Sequence, residues 1–288
     1  MLPLTKLSRM KAKLLLTGAS GFIGSRIFEE LKTDFEITAL SSSPKKIEFI
    51  SLNLLDTEAC KDFFRNKKFD VIIHAAAIAH GKNNVNDMSI EDANILMTKN
   101  IFNYLDISES KVIYLSSVSV YSYKNNKEYI SVKDEPIPVT QYGESKLICE
   151  KFLQNQGIRN LHILRLAPVF TENNLKDLGK RVFLPVFKIP FFTKQDRWYS
   201  LCHLNQVVFK VKESISETES SIMIVKDAND YGQQDLLAFF NINKPKIVIN
   251  RVLIKPILSL LGLLPTKKGD NIKEMLHKLF FSVRYTNN

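Results

Sequence analysis

The sequence predicts a doubly wound α/β protein: a parallel sheet with helices on both faces, then a smaller, less regular C-terminal portion. Three observations predict it. Short runs rich in Ile, Val and Leu recur without polar alternation, amphipathic segments separate them, and a glycine-rich turn joins the first run to the first such segment. Unbroken apolar runs mark strands buried on both faces, and strand–helix–strand order winds them into a parallel sheet.

Taken in order, residues 1–10 read as a loose tail. The strands expected next are KLLLTGA (13–19), FEITAL (35–40), EFISLNL (48–54), DVIIHAA (70–76), KVIYLSS (111–117) and LHILRLA (161–167). Helices are expected over FIGSRIFEELK (22–32) and TEACKDFFRNK (57–67). After residue 167 the rhythm breaks at Pro168, Pro185 and Pro190 in a stretch rich in Phe and basic residues. SIMIV (221–225) and KIVIN (246–250) are two further strand-like pieces, and NIKEMLHKLFFSV (271–283) is a helical tail. The expected organisation is therefore a sheet domain over 11–167 and a partly interleaved substrate-binding portion over 168–288.

Composition narrows the class. The 288 residues are 45% hydrophobic and 24% charged, as in an ordinary soluble domain. The three cysteines, Cys60, Cys149 and Cys202, are odd in number and show neither a disulfide framework nor metal spacing. A reducing, cytoplasmic setting and no metal are expected. The N-terminus carries no apolar region ending in a cleavage site, and no run reaches the ~20 apolar residues of a membrane span. VINRVLIKPILSLLGLLP (248–265), broken by Arg251, Lys255 and Pro256, reads as a core-facing helix of a small domain, with a membrane-surface helix as the alternative. The net charge of +10 is spread along the chain without an aromatic-interleaved stripe, so it fits phosphorylated small molecules and gives no case for nucleic acid.

The turn LLLTGASGFIGSRIFEEL sets Gly18, Gly21 and Gly24 between the first strand and first helix, in GxxGxxG rather than GxGxxG spacing. Glycine allows close backbone approach, and the helix N-terminus offers amides and a positive dipole end to a pyrophosphate. The alternative is a tight turn and nothing more. With this turn the sheet is Rossmann-type. At the end of the second strand an acid selects NAD and basic residues accommodate NADP. The chain reads Ser41, Ser42, Ser43, then Lys45 and Lys46, with no acid. That leans towards NADP, unless the lysines are solvated turn residues.

TGASGFIG, NLLD (53–56), HAAAIAH (74–80), NILMTKN (94–100), YLSSVSVY (114–121) and YGESK (142–146) occur in this order. In order and spacing the chain resembles the extended short-chain dehydrogenase/reductase superfamily, and within it the NAD-dependent epimerases and dehydratases. It is most similar to nucleotide-sugar 4-epimerases and 4-keto reductases of bacterial surface-polysaccharide synthesis. The resemblance covers 12–170 well and fades through LRLAPVF and RWYSLCHLNQVV. It implies a pyrophosphate turn of Gly18, Ser20, Gly21, Phe22, Ile23 and Gly24, with Ser41 at the second strand end. It places Leu55 and Asp56 by the adenine, Ala75, Ala76 and Ala77 under the cofactor, and Asn94 as an anchor of that loop. Ala167 and Val169 would line the nicotinamide. Ser117, Tyr142 and Lys146 are the implied catalytic group, Lys146 also reaching the nicotinamide ribose.

The chemistry explains that group. A sugar hydroxyl releases hydride only if its proton leaves as well, so a base must face the carbon. A free phenol titrates near about 10, and lowering it to about 7 takes about 4 kcal/mol. A lysine cation ~4 Å away at an effective dielectric of about 20 supplies about that much, and a spacing of four puts both side chains on one helix face. Protonated, the same tyrosine serves as an acid towards a ketone, while Ser117 holds the oxygen in line.

Departures are VYSY for the family's VYG at 120–123, and Asn205 and Gln206 for its acidic pair. Arg165, Lys180, Arg181 and Arg197 are candidates for a nucleotide's diphosphate, Arg197 beside Trp198 being preferred. His74 reads as a buried structural residue, His80 and His203 lack metal spacing, and Cys149 reads as core. A dehydratase would need an Asp–Glu pair after Ser117, where Val118 and Ser119 stand. A non-catalytic dinucleotide sensor or scaffold is the competing reading, and it would be expected to lack Tyr142 or Lys146. Leu147, Ile148, Phe152 and Leu153 on 145–157 suggest a homodimer through that helix, or simply a face covering the sheet.

Overall fold

The computed structural model describes residues 11–43, 46–79, 84–85, 88–185, 187–245, 247–254, 256, 258–259 and 267–288. The expected N-terminal tail, His80 and Lys45 lie outside them. In chain order the main elements are β1 (Lys13–Thr17), α1 (Phe22–Leu31), β2 (Glu36–Ser41), β3 (Phe49–Ser51), α2 (Thr57–Phe64), β4 (Val71–His74), α3 (Ile90–Phe102), β5 (Lys111–Ser117), α4 (Gln141–Gln154), β6 (Asn160–Leu166), α5 (Lys176–Val182), α6 (Leu204–Ser216), β7 (Ser221–Val225), α7 (Gln233–Ala238) and α8 (Lys267–Phe280).

The seven strands form one parallel sheet in the order β7-β6-β5-β4-β1-β2-β3. Their continuous apolar character follows from burial on both faces. Side chains alternate across each strand. Leu14, Leu16, Ile73, Ile113, Leu115 and Leu164 pack under Ile27, Phe28 and Leu31 of α1 and Val207, Val208 and Val211 of α6. Leu15, Ile72, Val112, Tyr114 and Ile163 meet Cys60 and Phe64 of α2, Met97 and Ile101 of α3, and Cys149 and Leu153 of α4. Chain direction across the sheet reverses beside β1 and β4, the switch point where doubly wound sheets bind ligands at their strand C-termini.

Ser221–Val225, read with the C-terminal portion, pairs with β6 from Ser221↔His162 to Val225↔Leu166 and closes the sheet edge. The other C-terminal elements surround a second cluster of Phe170, Leu178, Val182, Tyr199, Leu201, Leu236 and Leu237. The segment 248–265 is not one helix throughout: Ile247–Ile249 is a strand paired with Phe191–Thr193, as KIVIN led one to expect, Arg251–Leu253 is a single 3-10 turn, and residues 254, 256, 258 and 259 are helical. Residues 255, 257 and 260–265 of it lie outside the described residues. Among the described residues no helix is long and apolar enough to cross a membrane, and no group of three or more His, Cys, Asp or Glu could hold a metal ion. Cys60, Cys149 and Cys202 are all buried and free.

Candidate active site

The glycine turn is fixed by close approaches that a side chain would break. Gly18 has φ +70°, and a Cβ there would lie 2.7 Å from the Ala76 nitrogen. A Cβ on Gly24 would lie 2.2 Å from the Gly18 carbonyl oxygen. Gly21 precedes α1 with no side chain capping that helix, although Asp56 caps α2, Ser89 caps α3 and Thr140 caps α4. The first amides of α1, carried by Phe22 and Ile23, are thus left for an anion at the positive end of the helix dipole.

Around this turn the structure gathers several of the other expected residues. Ser20 Oγ and Ser41 Oγ are 2.6 Å apart, tying the turn to the end of β2. Ala75, Ala76 and Ala77 follow β4, and the Ala76 amide donates to Thr17 Oγ1 at 3.3 Å. Buried Asn94 accepts from the Ile78 amide at 2.8 Å and donates to the Ile78 carbonyl and Ser145 Oγ, both at 3.1 Å. One side chain therefore joins the loop after β4 to α3 and α4. Ala167 continues β6, its amide donating to the Val225 carbonyl, and Val169 pairs with Cys202.

Two of the cofactor candidates also have contacts within the protein. Asp56 beside Leu55 spends its Oδ1 capping α2, accepting from the Ala59 amide at 3.0 Å. Lys46 forms an ion pair with Glu29 and lies 5.5 Å from the Phe28 ring centre.

The catalytic candidates converge at the C-terminal end of β5. Ser117 is the last residue of β5. Tyr142 and Lys146 stand on successive turns of α4, which Thr140 starts by accepting from the Gly143 amide at 3.1 Å. Gly143 sets the approach: a Cβ there would lie 2.1 Å from the Ser119 carbonyl oxygen. Only glycine lets α4 press this close, bringing the Tyr142 phenol beside the Ser117 hydroxyl. The sequence showed this signal, a glycine directly after the tyrosine, but its role depends on Ser119, 24 residues upstream.

Electrostatics correct the expected Tyr–Lys balance. Lys146 Nζ donates to the Leu115 carbonyl at 2.7 Å, lies 4.6 Å from the Tyr114 ring centre and 5.8 Å from that of Tyr142. Burial lowers its pKa to about 8. Burial also pushes the Tyr142 phenol up to about 12, against the opposing hydrogen bond from Ser117, with Asp177 of α5 adding a smaller upward push. The protein alone therefore holds a protonated phenol beside a buried ammonium. Deprotonation at neutral pH needs further positive charge next to Tyr142.

The basic residues assigned to a diphosphate are engaged elsewhere. Arg165 is bound to Glu150 on α4, with Nη2–Oε2 at 2.7 Å and side chains 6% and 1% exposed. Ser116 donates to Glu150 and Arg165 Nη1 to Tyr121 Oη, completing a buried network directly behind Lys146. Arg197 is 1% exposed and donates to the carbonyls of Leu279 and Arg181 and to Gln233 Oε1. It pins α8 to the C-terminal portion and presents no donor to a ligand. Lys180 pairs with Asp177 and Arg181 donates to the Asp177 carbonyl. His74, buried between Thr17 Oγ1 at 2.7 Å and Thr98 Oγ1 at 3.1 Å, has its pKa lowered by burial to about 3 and is a neutral structural residue.

The family model described as "NAD dependent epimerase/dehydratase family" matches residues 14–187. GDP-6-deoxy-D-talose 4-dehydrogenase of Aggregatibacter actinomycetemcomitans is 25% identical over 199 residues, covering 68% of this chain and 64% of that relative. The N-acetyl-alpha-D-glucosaminyl-diphospho-ditrans,octacis-undecaprenol 4-epimerase of Escherichia coli O157:H7 is 30% identical over 176 residues, 57% of this chain and 51% of its own. The chain thus spans less than two thirds of either curated relative. The solved UDP-Glc/GlcNAc 4-epimerase of Campylobacter jejuni superposes with a TM-score of 0.68 at 21% identity, covering 83% of this chain and 87% of that one.

Proposed function

Because the chain belongs to the NAD dependent epimerase/dehydratase family, we propose that it transfers hydride at carbon 4 of a sugar activated through a diphosphate. It would act as a 4-epimerase or a 4-keto reductase. The observation that carries the reading is the meeting of Ser117, Tyr142 and Lys146 at the end of β5, next to a helix whose first amides are left uncapped.

The residues present fit a nicotinamide dinucleotide. Gly18, Gly21 and Gly24 leave a cradle that Cβ atoms would fill, and the Phe22 and Ile23 amides would hold a pyrophosphate. Ser20 and Ser41 stand where a ribose would be held, and their hydroxyls suit NAD or NADP alike. When bound, the cofactor would accept or return the hydride. Tyr142 Oη takes the proton from the sugar hydroxyl or gives it to the ketone, and Ser117 Oγ fixes the same oxygen. Lys146, charged below about pH 8, supplies the positive potential that steadies a phenolate.

The carbon-4 position, the sugar diphosphate and the role in surface-polysaccharide synthesis follow the resemblance and the named activities of the relatives, with the cytoplasm as the expected setting. Mass spectrometry of nucleotide released by heating the purified protein separates the two chemistries. Retained, near-stoichiometric NAD supports an epimerase. An empty site or exchangeable NADPH supports a reductase. Tyr142→Phe is expected to abolish turnover with dinucleotide affinity within a few-fold, and unchanged turnover would remove Tyr142 from the mechanism.

A dimer through α4 is part of the same proposal. Leu153 is in the core beneath the helix and Leu147 and Phe152 are partly covered, which leaves Ile148, 41% exposed, as the side chain available to a partner. Light scattering is expected to show a dimer that Ile148→Glu dissociates. A monomeric parent protein at micromolar concentration would refute it.

A further inference from the structure

On the hydride-transfer reading, on which this inference rests, we propose that Glu150 is a positioning residue: braced by Arg165, its carboxylate keeps Lys146 charged beside Tyr142. The arrangement is built by register. Ser116 of β5 and Arg165 of β6 are direct partners in the sheet, so their side chains leave the same face side by side. Glu150 reaches both from α4. It accepts from Ser116 Oγ, and from Arg165 Nη2 at 2.7 Å and Nε at 3.2 Å. Ser116 stands between Ser117 and Leu115, whose carbonyl holds the Lys146 ammonium at 2.7 Å. Glu150 follows Lys146 by four residues, one turn along the same helix face.

Packing does not call for a carboxylate here. Cys149 and Leu153 on the buried side of α4 meet the sheet with apolar surface. An apolar pair of similar size in place of Glu150 and Arg165 would join helix and sheet about as well. What the carboxylate changes is the charge balance around Lys146.

The titratable groups acting on Lys146 come from three elements. They are Tyr142, Cys149 and Glu150 of α4, Tyr114 of β5 and His74 of β4. Arg165 of β6 stands behind Glu150, and Asp177 of α5 acts on Tyr142. Burial keeps Tyr114 and Tyr142 protonated and His74 neutral at pH 7. It draws the Lys146 ammonium down to about 8, which Cys149 and Glu150 oppose. One carboxylate therefore answers two buried cations, Lys146 and Arg165. Removing it leaves two like charges in a site that water does not screen, and Lys146 is the one that can shed its proton. Because the charged lysine steadies the phenolate, Glu150 sets the highest pH at which the site can work.

The test is NMR titration of the full chain carrying isotope-labelled lysine, with the Lys146 signal identified by its loss in Lys146→Met. Glu150→Gln should lower the Lys146 midpoint by about one pH unit or more, and Arg165→Met should raise it. Glu150→Leu/Arg165→Met, which removes both charges, should return it close to the parent value. Ser116→Ala removes a hydrogen bond to the carboxylate but no charge, and should leave the midpoint in place. No shift in Glu150→Gln overturns the proposal. Shifts of the same sign in Glu150→Gln and Arg165→Met also overturn it, as does a Ser116→Ala shift as large as that of Glu150→Gln. Those results would mean that helix placement, rather than charge, decides the titration. Should one single variant fail to fold, the other still carries a signed expectation. The titration needs no substrate, so its failure leaves the hydride-transfer reading standing, and loss of that reading leaves the expected shifts unchanged.

Discussion

Glu150→Gln tests the idea that the buried pair behind Lys146 holds α4 on the sheet. Glu150 and Arg165 are almost fully enclosed, and three contacts of 2.7, 3.2 and 3.2 Å join them. Gln keeps the size and one acceptor but removes the charge, leaving the Arg165 cation buried with the Tyr121 hydroxyl and ring, 5.2 Å away, for company. Breaking a buried pair from one side typically costs about 3–5 kcal/mol, while replacing both partners with apolar residues of similar size is often near neutral. Urea unfolding of Glu150→Leu, Arg165→Met and Glu150→Leu/Arg165→Met closes the cycle, with Glu150→Gln measured alongside. The single changes should each lose about 3 kcal/mol or more and the double change clearly less than their sum. Additive losses, or a Glu150→Gln loss below about 1 kcal/mol, would show that the pair is not what fixes α4.

Two other perturbations bear on the same helix. Gly143→Ala places a Cβ 2.1 Å from the Ser119 carbonyl oxygen, so α4 must move by about 1 Å. The expected loss is about 1–3 kcal/mol in unfolding experiments and on the order of 100-fold in turnover, because Tyr142 is carried away from Ser117. Lys146→Met should stabilise the protein at pH 7 while ending turnover. Its pKa is about 8 in the fold against 10.5 for the ordinary side chain, so the buried charge costs about 3 kcal/mol below pH 8. That gain should shrink as pH rises from 8 to 10.5, where the folded lysine is already neutral and the unfolded one still binds a proton. Chemical denaturation at pH 7 and pH 10 measures both limits.

What the sequence made legible was local. β1, β4, β5 and β6 announced themselves as apolar runs because both their faces are covered, and the glycine turn showed because its geometry forbids Cβ atoms. The place of Ser221–Val225 was not legible. Its partner is β6, some sixty residues earlier, and no local signal says which strand a five-residue apolar run will join. Asp56 carries two signals at once: resemblance sends it to an adenine, while an acid three residues before Ala59 at a helix start is also an N-cap, and its Oδ1 caps α2.

The cations were hardest to read, for a physical reason. A guanidinium has the same letter whether it meets solvent, a ligand or a buried acceptor, and the difference lies entirely in what the fold sets beside it. Arg165 finds a carboxylate from α4, and Arg197 finds carbonyls at the end of α8. Lys46 finds Glu29 across the first βαβ unit. Each looked like a candidate for a phosphate. Each is instead paired within the fold, and a cation's neighbours in sequence do not say which element it will meet.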